Sequence, residues 1–536
     1  MSISEKFDYV VVGSGASGAV VAARLSETGN TVCLLEAGPP DNHPFLHIPA
    51  GFMKVIFDTK YTWQFSTQTS DKTNGRQIAL PQGRTLGGST SINGLVYNRG
   101  QKSDFDNWAA LGNEGWSYKD VLPYFKSMEC YAGGDDEYRG RTGELKVSDI
   151  DLAHPICEAF IKGAINQGLP RTEDYNGASQ EGVGYYQRTI HKGWRISTAK
   201  AFLKPVRGRK NLHVKTSAQV TRILFEGKRA VGVSYVHPSE RTVAKTVLAT
   251  KEVIIACGAI NTPKLLQLSG IGPAALLKEY GIEVVQDLRG VGENLSDHYS
   301  VRVGAKVKGG DTFNELATGL PLGGQIARWL LKRPSILALS PSLVHWFWKS
   351  KPELSHADLQ GVFSPASYKE GYVGRLDDFP GMTVGVWQHR PKSRGYVRIA
   401  SSNPFDAPII QPNYLEHPDD QKILVSGIKL ARKLLLSESL NKYFDKETFP
   451  GNTCSSDDEL LDFARQYGVS AYHLNGTAHM GPKSDENAVV DHKLRVYGVE
   501  NLRIVDSAVM PSMPSANISA ATMMIGNKAS DLILED

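Results

Sequence analysis

The chain has 536 residues and a mass of 58.6 kDa, with 41% hydrophobic and 22% charged residues, which excludes a disordered or fibrous polymer and asks for more than one core. Sixty basic against 56 acidic residues, a net charge of +4, are spread along the whole length, so no nucleic-acid footprint is expected. No apolar run approaches the roughly eighteen residues of a spanning helix. The five cysteines (Cys33, Cys130, Cys157, Cys257, Cys454) form no C-x-x-C pair, which points to reduced thiols and no metal site.

The first strand begins at about Phe7 and leaves no room for a secretion signal, so the expected compartment is cytoplasmic. From Tyr9 to Val12 a β-branched run meets three glycines, a helical Ala/Val/Leu pattern follows, and a second apolar run, Val32 to Leu35, ends at Glu36. In such a strand-turn-helix-strand unit Gly13 makes the tight turn. Gly15 lets the backbone approach a pyrophosphate, and Gly18 lets the helix pack on the strand. Glu36 stands where a carboxylate accepts hydrogen bonds from an adenosine ribose. The glycines alone also suit a purely structural turn, but the flanking strand, helix and acid favour a bound dinucleotide.

Pro81 to Gly100 contains paired glycines, Gly87 and Gly88, among Ser89, Thr90 and Ser91, with few bulky side chains before Ile92. That composition describes backbone in close approach to a large ligand, or else a solvent loop. Gln219 to Phe225 reads as a strand, and Val253 to Ala256 as a buried strand running into a turn at Gly258.

The stretch 311–390 is the least readable. Ile326 to Leu331 has an amphipathic helical pattern that Lys332-Arg333-Pro334 stops. Leu343 to Trp348 is an aromatic cluster that suits core packing best, with a substrate-pocket wall or a membrane-touching flap as the functional alternatives, so a peripheral membrane contact stays open. Downstream, Tyr472 to Gly481 precedes Asp506 and Met513 to Thr522, and from Ser519 to Leu534 the spacing is helical, with Asn517 near that helix's N-terminus. Composition cannot choose among the 14 histidines.

Gly83-Arg84-x-Leu86-Gly87-Gly88-Ser89-Thr90-x-Ile92-Asn93, with Tyr97 and Gly100, resembles the first signature of the glucose-methanol-choline (GMC) family of FAD-dependent oxidoreductases. The stretch from Gly258 to Pro273 is similar to its second signature. Further matches are Asp104-Phe105-Asp106 with Trp108, Gly292-x-Asn294-Leu295-x-Asp297-His298, Ser393-Arg394-Gly395, Asn413-Tyr414-Leu415 and Asp506-Ser507-x-x-Met510-Pro511. The resemblance implies an α/β fold, α+β in its substrate part: a Rossmann-like FAD-binding domain from 1–155, 195–310 and 465–536, and a discontinuous substrate-binding domain from 156–194 and 311–464 whose sheet roofs the flavin.

Carried over position by position, the resemblance implies that the cofactor meets Gly13, Ser14, Gly15, Ala16, Gly18, Glu36 and Ala37, then Arg84, Gly88 and Ser89. It adds Asn93, Gly94, Leu95 and Val96, and finally Val220, Asp506, Ser507, Asn517 and Ile518. The pattern His-x-x-Gly-Thr-x-x-Met-Gly makes His473 the active-site base and Asn517 its partner. Some relatives join the flavin to a histidine where this chain has Ile92, so FAD is expected to be non-covalent. His479 stands where arginine is frequent, and Thr522 follows Ala521 where many relatives have Pro-Thr.

The implied activity is oxidation of an uncharged primary alcohol, aliphatic, aryl or polyether-type, to the aldehyde, with the proton going to His473 and hydride to flavin N5. The acceptor of the electrons is O2, a quinone or another acceptor. Choline dehydrogenase, a lyase or decarboxylase on the same scaffold, and an NAD-dependent dehydrogenase using only the first glycine motif are the alternatives. Aligning a phenylalanine of choline-using relatives with Phe347 puts Leu343 where they carry a glutamate, which speaks against choline.

Overall fold

The computed structural model describes residues 5–369 and 374–536, which contain two seven-stranded sheets. In the first, strands run in the order Leu212–Lys215, Val32–Leu35, Glu5–Val12, Glu240–Ile255, Arg229–His237 and Gln219–Glu226, with Leu502–Ile504 paired onto Glu240–Ile255. The Glu5–Val12 strand lies parallel to both neighbours, and Val10, Val11, Cys33 and Leu34 are fully buried, as strands inside a parallel sheet are. The helix Gly18–Leu25 packs there against the C-terminal helix Ser519–Glu535.

The 16-residue strand Glu240–Ile255 serves three partners: its first half pairs antiparallel with Arg229–His237, and its second half pairs parallel with Glu5–Val12 and, at the end, with Leu502–Ile504. Register then aligns the carboxyl ends of four parallel strands, since Val12 is opposite both Leu35 and Ile255, and Ile255 is opposite Ile504. The loops leaving those ends, at Gly13, Glu36, Ala256 and Val505, therefore converge on one edge, where open α/β sheets bind their ligands.

The second sheet runs Phe444–Phe449, Tyr299–Val307, Gly381–Gln388, Leu359–Ser364, Val344–Trp348 and Gly182–Tyr185, with Val469–Ser470 on Tyr299–Val307. One face packs on the helix Pro418–Leu435, whose Gly427 sits so close to the sheet that a Cβ would lie 2.8 Å from Val386 Cγ2. Ser300 pairs with Trp387 and Arg302 with Gly385, while Gln360 and Val362 lie across from the same two positions of the Gly381–Gln388 strand. These residues share the sheet's other face by the two-residue period. Tyr299–Val307 and Val469–Ser470 fall within segments that the sequence division gives to the dinucleotide-binding part, yet they hydrogen-bond into the second sheet. Alternation identifies a strand but not the strand it pairs with.

Of the aromatic run Leu343 to Trp348, Val344–Trp348 forms a strand inside this sheet, with Trp346 and Phe347 fully buried, which is the core-packing alternative. Leu343, also fully buried, does not face the cavity described below, so the comparison with a glutamate position drawn from it carries no weight.

Candidate active site

A cavity of about 450 Å³ runs between the two sheets, from the first glycine loop to His473 and Asn517. Its size lies within the range of cofactor and ligand sites. At one end the three glycines divide their tasks as the sequence suggests. A Cβ on Gly13 would lie 2.4 Å from the Ala256 carbonyl oxygen, and one on Gly18 would lie 1.9 Å from that of Gly13, so both positions need close backbone contact. A Cβ on Gly15 would meet no atom within 4 Å, so this glycine keeps open a space beside the N-terminus of the Gly18–Leu25 helix. Gly88, at φ +52°, comes so close to Gly15 that a Cβ would lie 2.7 Å from its Cα, which joins the two glycine turns into one cradle.

Glu36 lies at the wall of this cradle. Its carboxylate accepts from Ser14 Oγ at 2.6 Å, Ser14 N at 3.1 Å and Gly38 N at 2.9 Å, and burial holds its pKa above the usual carboxylate range. Asp506 accepts from Gly258 N, Thr262 Oγ1 and Ala508 N, tying the second glycine turn to the Leu502–Ile504 strand exit. Asn93 accepts from Leu95 N and from Arg195, so its side chain fixes the turn that presents Gly94, Leu95 and Val96 to the cavity. The helix Ser519–Glu535 starts with no side-chain cap, and Ile518, Ser519 and Thr522 line the cavity, so its unpaired amides and positive dipole end face the space.

Gly13, Ser14, Gly15, Ala16, Glu36, Ala37, Gly88 and Ser89 all line this cavity, as do Val220, Ser507 and Asn517. Gly18 and Arg84 do not. Gly18 is consumed in helix packing, and the Arg84 guanidinium lies over the Trp63 ring at 4.6 Å, so that Trp63, not Arg84, reaches the wall. His479 also lies off the cavity and contacts Asp485. Thr522 caps no break: its Oγ1 donates to the Ile518 carbonyl within the regular helix start.

At the other end His473, only 9% exposed, sits between two partners: its Nδ1 is 2.9 Å from His298 Nδ1 and its Nε2 is 3.1 Å from Asn517 Nδ2. The proton positions follow from the network. His298 Nε2 lies 2.7 Å from the His389 carbonyl oxygen, which can only accept, so that nitrogen carries a proton. Burial pushes the His298 pKa down to about 4, so the ring is neutral and its Nδ1 is an acceptor. His473 Nδ1 must then donate to it, which leaves an unprotonated Nε2. Asn517 therefore turns its amide nitrogen toward His473 and accepts at Oδ1 from Gln360 Nε2 at 3.0 Å. Burial, with the neighbouring His298, holds His473 itself well below the ordinary histidine pKa.

The backbone of His473 is fixed as firmly as its ring. Its N–H donates to Asp297 Oδ1 at 2.8 Å, and the preceding Tyr472 has φ +64°. Trp387 stands 6.1 Å away between ring centroids, and Ser300 and Arg302 continue the roof beyond it. Glu36 and Asp506 are the sole carboxylates lining the cavity among the described residues, and both are held at the glycine-turn end. Sequence reasoning passed over His298, Gln360 and Trp387. His298 was visible inside Asp297-His298, whereas nothing local marks Gln360, 157 residues from Asn517.

Residues 7–300 match the N-terminal and residues 391–526 the C-terminal family model described as GMC oxidoreductase. The chain is 39% identical over 534 residues to an alcohol dehydrogenase [acceptor] of Pseudomonas putida, covering 98% of this chain and 96% of that one. It is 40% identical over 538 residues to a mitochondrial choline dehydrogenase of Homo sapiens, covering 99% and 90%. An arginine variant of Aspergillus oryzae formate oxidase, solved for the effect of the mutation on FAD modification, superposes with a TM-score of 0.92 at 26% identity, covering 100% and 99% of the two chains.

Proposed function

The chain belongs to the GMC oxidoreductase family, and on that premise we propose that it oxidises a primary alcohol to the aldehyde with a non-covalently held FAD. The cradle fits such a group. Gly15, with Gly88 packed against it, leaves room for a pyrophosphate at a helix N-terminus, Glu36 and Ala37 would meet the ribose, and Val220 would meet the adenine. Asn93 to Val96, Ser507 and Ile518 would surround the isoalloxazine, and Ile92 offers no nucleophile for a covalent link. When bound, FAD supplies the two-electron acceptor that takes hydride at N5.

The chain's own residues supply the rest of the step. An alcohol is a very weak acid, so its hydroxyl proton must leave as the C–H bond breaks. The Nε2 lone pair of His473, which Asn517 Nδ2–H occupies in the empty site, turns to the substrate hydroxyl and takes its proton, and the amide Nδ2–H so released donates to the oxygen as it gains negative charge. The imidazolium so formed keeps its Nδ1–H on His298. The observation that carries this reading is the deduced tautomer of His473, which places an unprotonated ring nitrogen beside Asn517 at the cavity wall.

For the substrate we favour an uncharged alcohol over choline. A quaternary ammonium asks for an aromatic cage and a nearby carboxylate, whereas the roof near Trp387 carries the Arg302 cation, stacked over Tyr368 at 5.3 Å. Five unpaired cysteines suit the reducing cytoplasm. The test is anaerobic mixing of the yellow holoprotein with straight-chain and benzylic alcohols and with choline. Bleaching by neutral alcohols at a higher specificity constant than choline is expected, and reoxidation by air or by a quinone then identifies the acceptor. Retained flavin that no alcohol bleaches would reject the reading in favour of a lyase or decarboxylase.

A further inference from the structure

The three most exposed large apolar side chains stand together. Leu320 is 94% exposed, Leu331 68% and Leu330 67%, and together with Ile326 they stand on the helix Gly319–Leu330 and the residue that ends it. None of that helix's residues is buried. Leu320 and Leu331, eleven apart, share the outward side of the helix, and Ile326 and Leu330, four apart, stand together on its flank. Inward, the helix is held by Trp329, whose Nε1 donates to the Gly193 carbonyl at 3.0 Å and whose ring meets Trp194 edge-on at 4.6 Å. A surface helix ordinarily turns its apolar stripe toward the core. This one turns a second stripe outward.

The patch continues beyond the helix. The short turn Ile336–Ala338 touches both the helix and the turn Pro49–Gly51, which adjoins the helical turns Pro44–His47 and Phe52–Val55. Exposed on these neighbours are Phe45, Phe57 and Trp194. The same elements reach the cavity, which Phe52, Ile56, Pro341 and Ser342 line. An apolar surface thus adjoins the site.

Along the helix and the segment that follows it the charge has one sign. From Leu316 to Pro352 the sequence contains no Asp or Glu, whereas Arg328, Lys332 and Arg333 flank the outward stripe, and Lys54 and Lys192 are exposed on its neighbours. Among the described residues none of these five pairs with a carboxylate, and Arg328 Nε is spent on the Pro334 carbonyl. A helix with leucines outward, tryptophans at its base and Lys/Arg without a carboxylate partner beside it matches the interface between bilayer and water. There apolar side chains enter the acyl region and cations meet lipid phosphates.

We propose that this face docks on an anionic lipid bilayer, with the Gly319–Leu330 helix lying in the plane of the interface and the cavity opening beside it. No helix among the described residues is long and apolar enough to cross a membrane, so the attachment is peripheral. The inference does not depend on which substrate the site turns over.

The test is flotation of the full-length holoprotein with vesicles of phosphatidylcholine alone or of phosphatidylcholine and phosphatidylglycerol at 3:1. Binding to the anionic vesicles is expected, weakened on the order of tenfold or more by neutral lipid or by 0.5 M salt. The triple variant Leu320→Glu, Leu330→Glu, Leu331→Glu should lose at least about tenfold in partitioning. Its flavin content and secondary structure should match the parent, and the control Leu436→Glu, at an exposed leucine outside the patch, should float like the parent. Failure of the parent to float, or equal flotation of the triple variant, overturns the proposal. So does a parent that is dimeric by light scattering, becomes monomeric in the triple variant and floats with neither vesicle, which would give the patch to a second copy of the chain.

Discussion

Replacing His298 by leucine tests the proton assignment directly. The substitution removes the acceptor of His473 Nδ1–H and leaves that N–H orphaned in a buried site. An unsatisfied buried donor costs about 1–3 kcal/mol, and His473 escapes the cost by shifting its proton to Nε2 while the amides of Asn517 and Gln360 turn over to accept it, which blocks the atom that must be bare to act as the base. At about 1.4 kcal/mol per decade, the fraction of productive tautomer falls roughly 5- to 150-fold. Stopped-flow flavin reduction by a saturating alcohol without oxygen reads this as a lower limiting rate at unchanged flavin occupancy. His298→Gln separates a lost hydrogen bond from lost packing, because its Oε1 can accept from His473 and its Nε2 can donate to the His389 carbonyl. It should recover most of the rate. Parent-like reduction in His298→Leu, or equal losses in the two variants, would refute the tautomer argument.

In the parent, burial keeps His473 well below the ordinary histidine pKa, so the base is neutral and the reduction rate should be flat from about pH 6.5 upward, falling only in acid. His473→Ala should lower flavin reduction on the order of a hundredfold or more with FAD still bound, while Asn517→Ala, which loses one neutral hydrogen bond to the developing charge, should cost less; stopped-flow rates of the two variants check the order. Acid precipitation should leave the yellow colour in the supernatant, since buried Ile92 stands where some relatives attach the flavin; colour in the pellet contradicts it. Gly15→Val adds a side chain into open space and should leave the melting temperature of the flavin-free protein within a few degrees, yet lower FAD occupancy at least tenfold by absorbance.

The glycine unit is legible in the amino-acid sequence because its physics is local. A strand's carboxyl end, a tight turn and a helix start lie within about twenty residues, and Gly13, Gly15 and Gly18 each answer a steric demand set by near neighbours or by the space beside them. His473 and Asn517 could be named through resemblance alone, since no local pattern separates one histidine from fourteen. What the tertiary structure decided was their chemistry. The bare Nε2 of His473 depends on His298, which depends on the carbonyl of His389, while Asn517 is held by Gln360 across 157 residues of sequence. The same holds for the sheets and the surface. The Val and Ile content of Gln219–Phe225 marked a strand without naming its partner, Tyr299–Val307 was not singled out at all, and the amphipathic pattern ending at Leu331 marked a helix without revealing that leucines on it face out. Local sequence sets which backbone conformation costs least. Which groups meet, which proton is left over and which face stays uncovered are set by long-range packing, because desolvation and hydrogen-bond satisfaction are accounted over the whole fold.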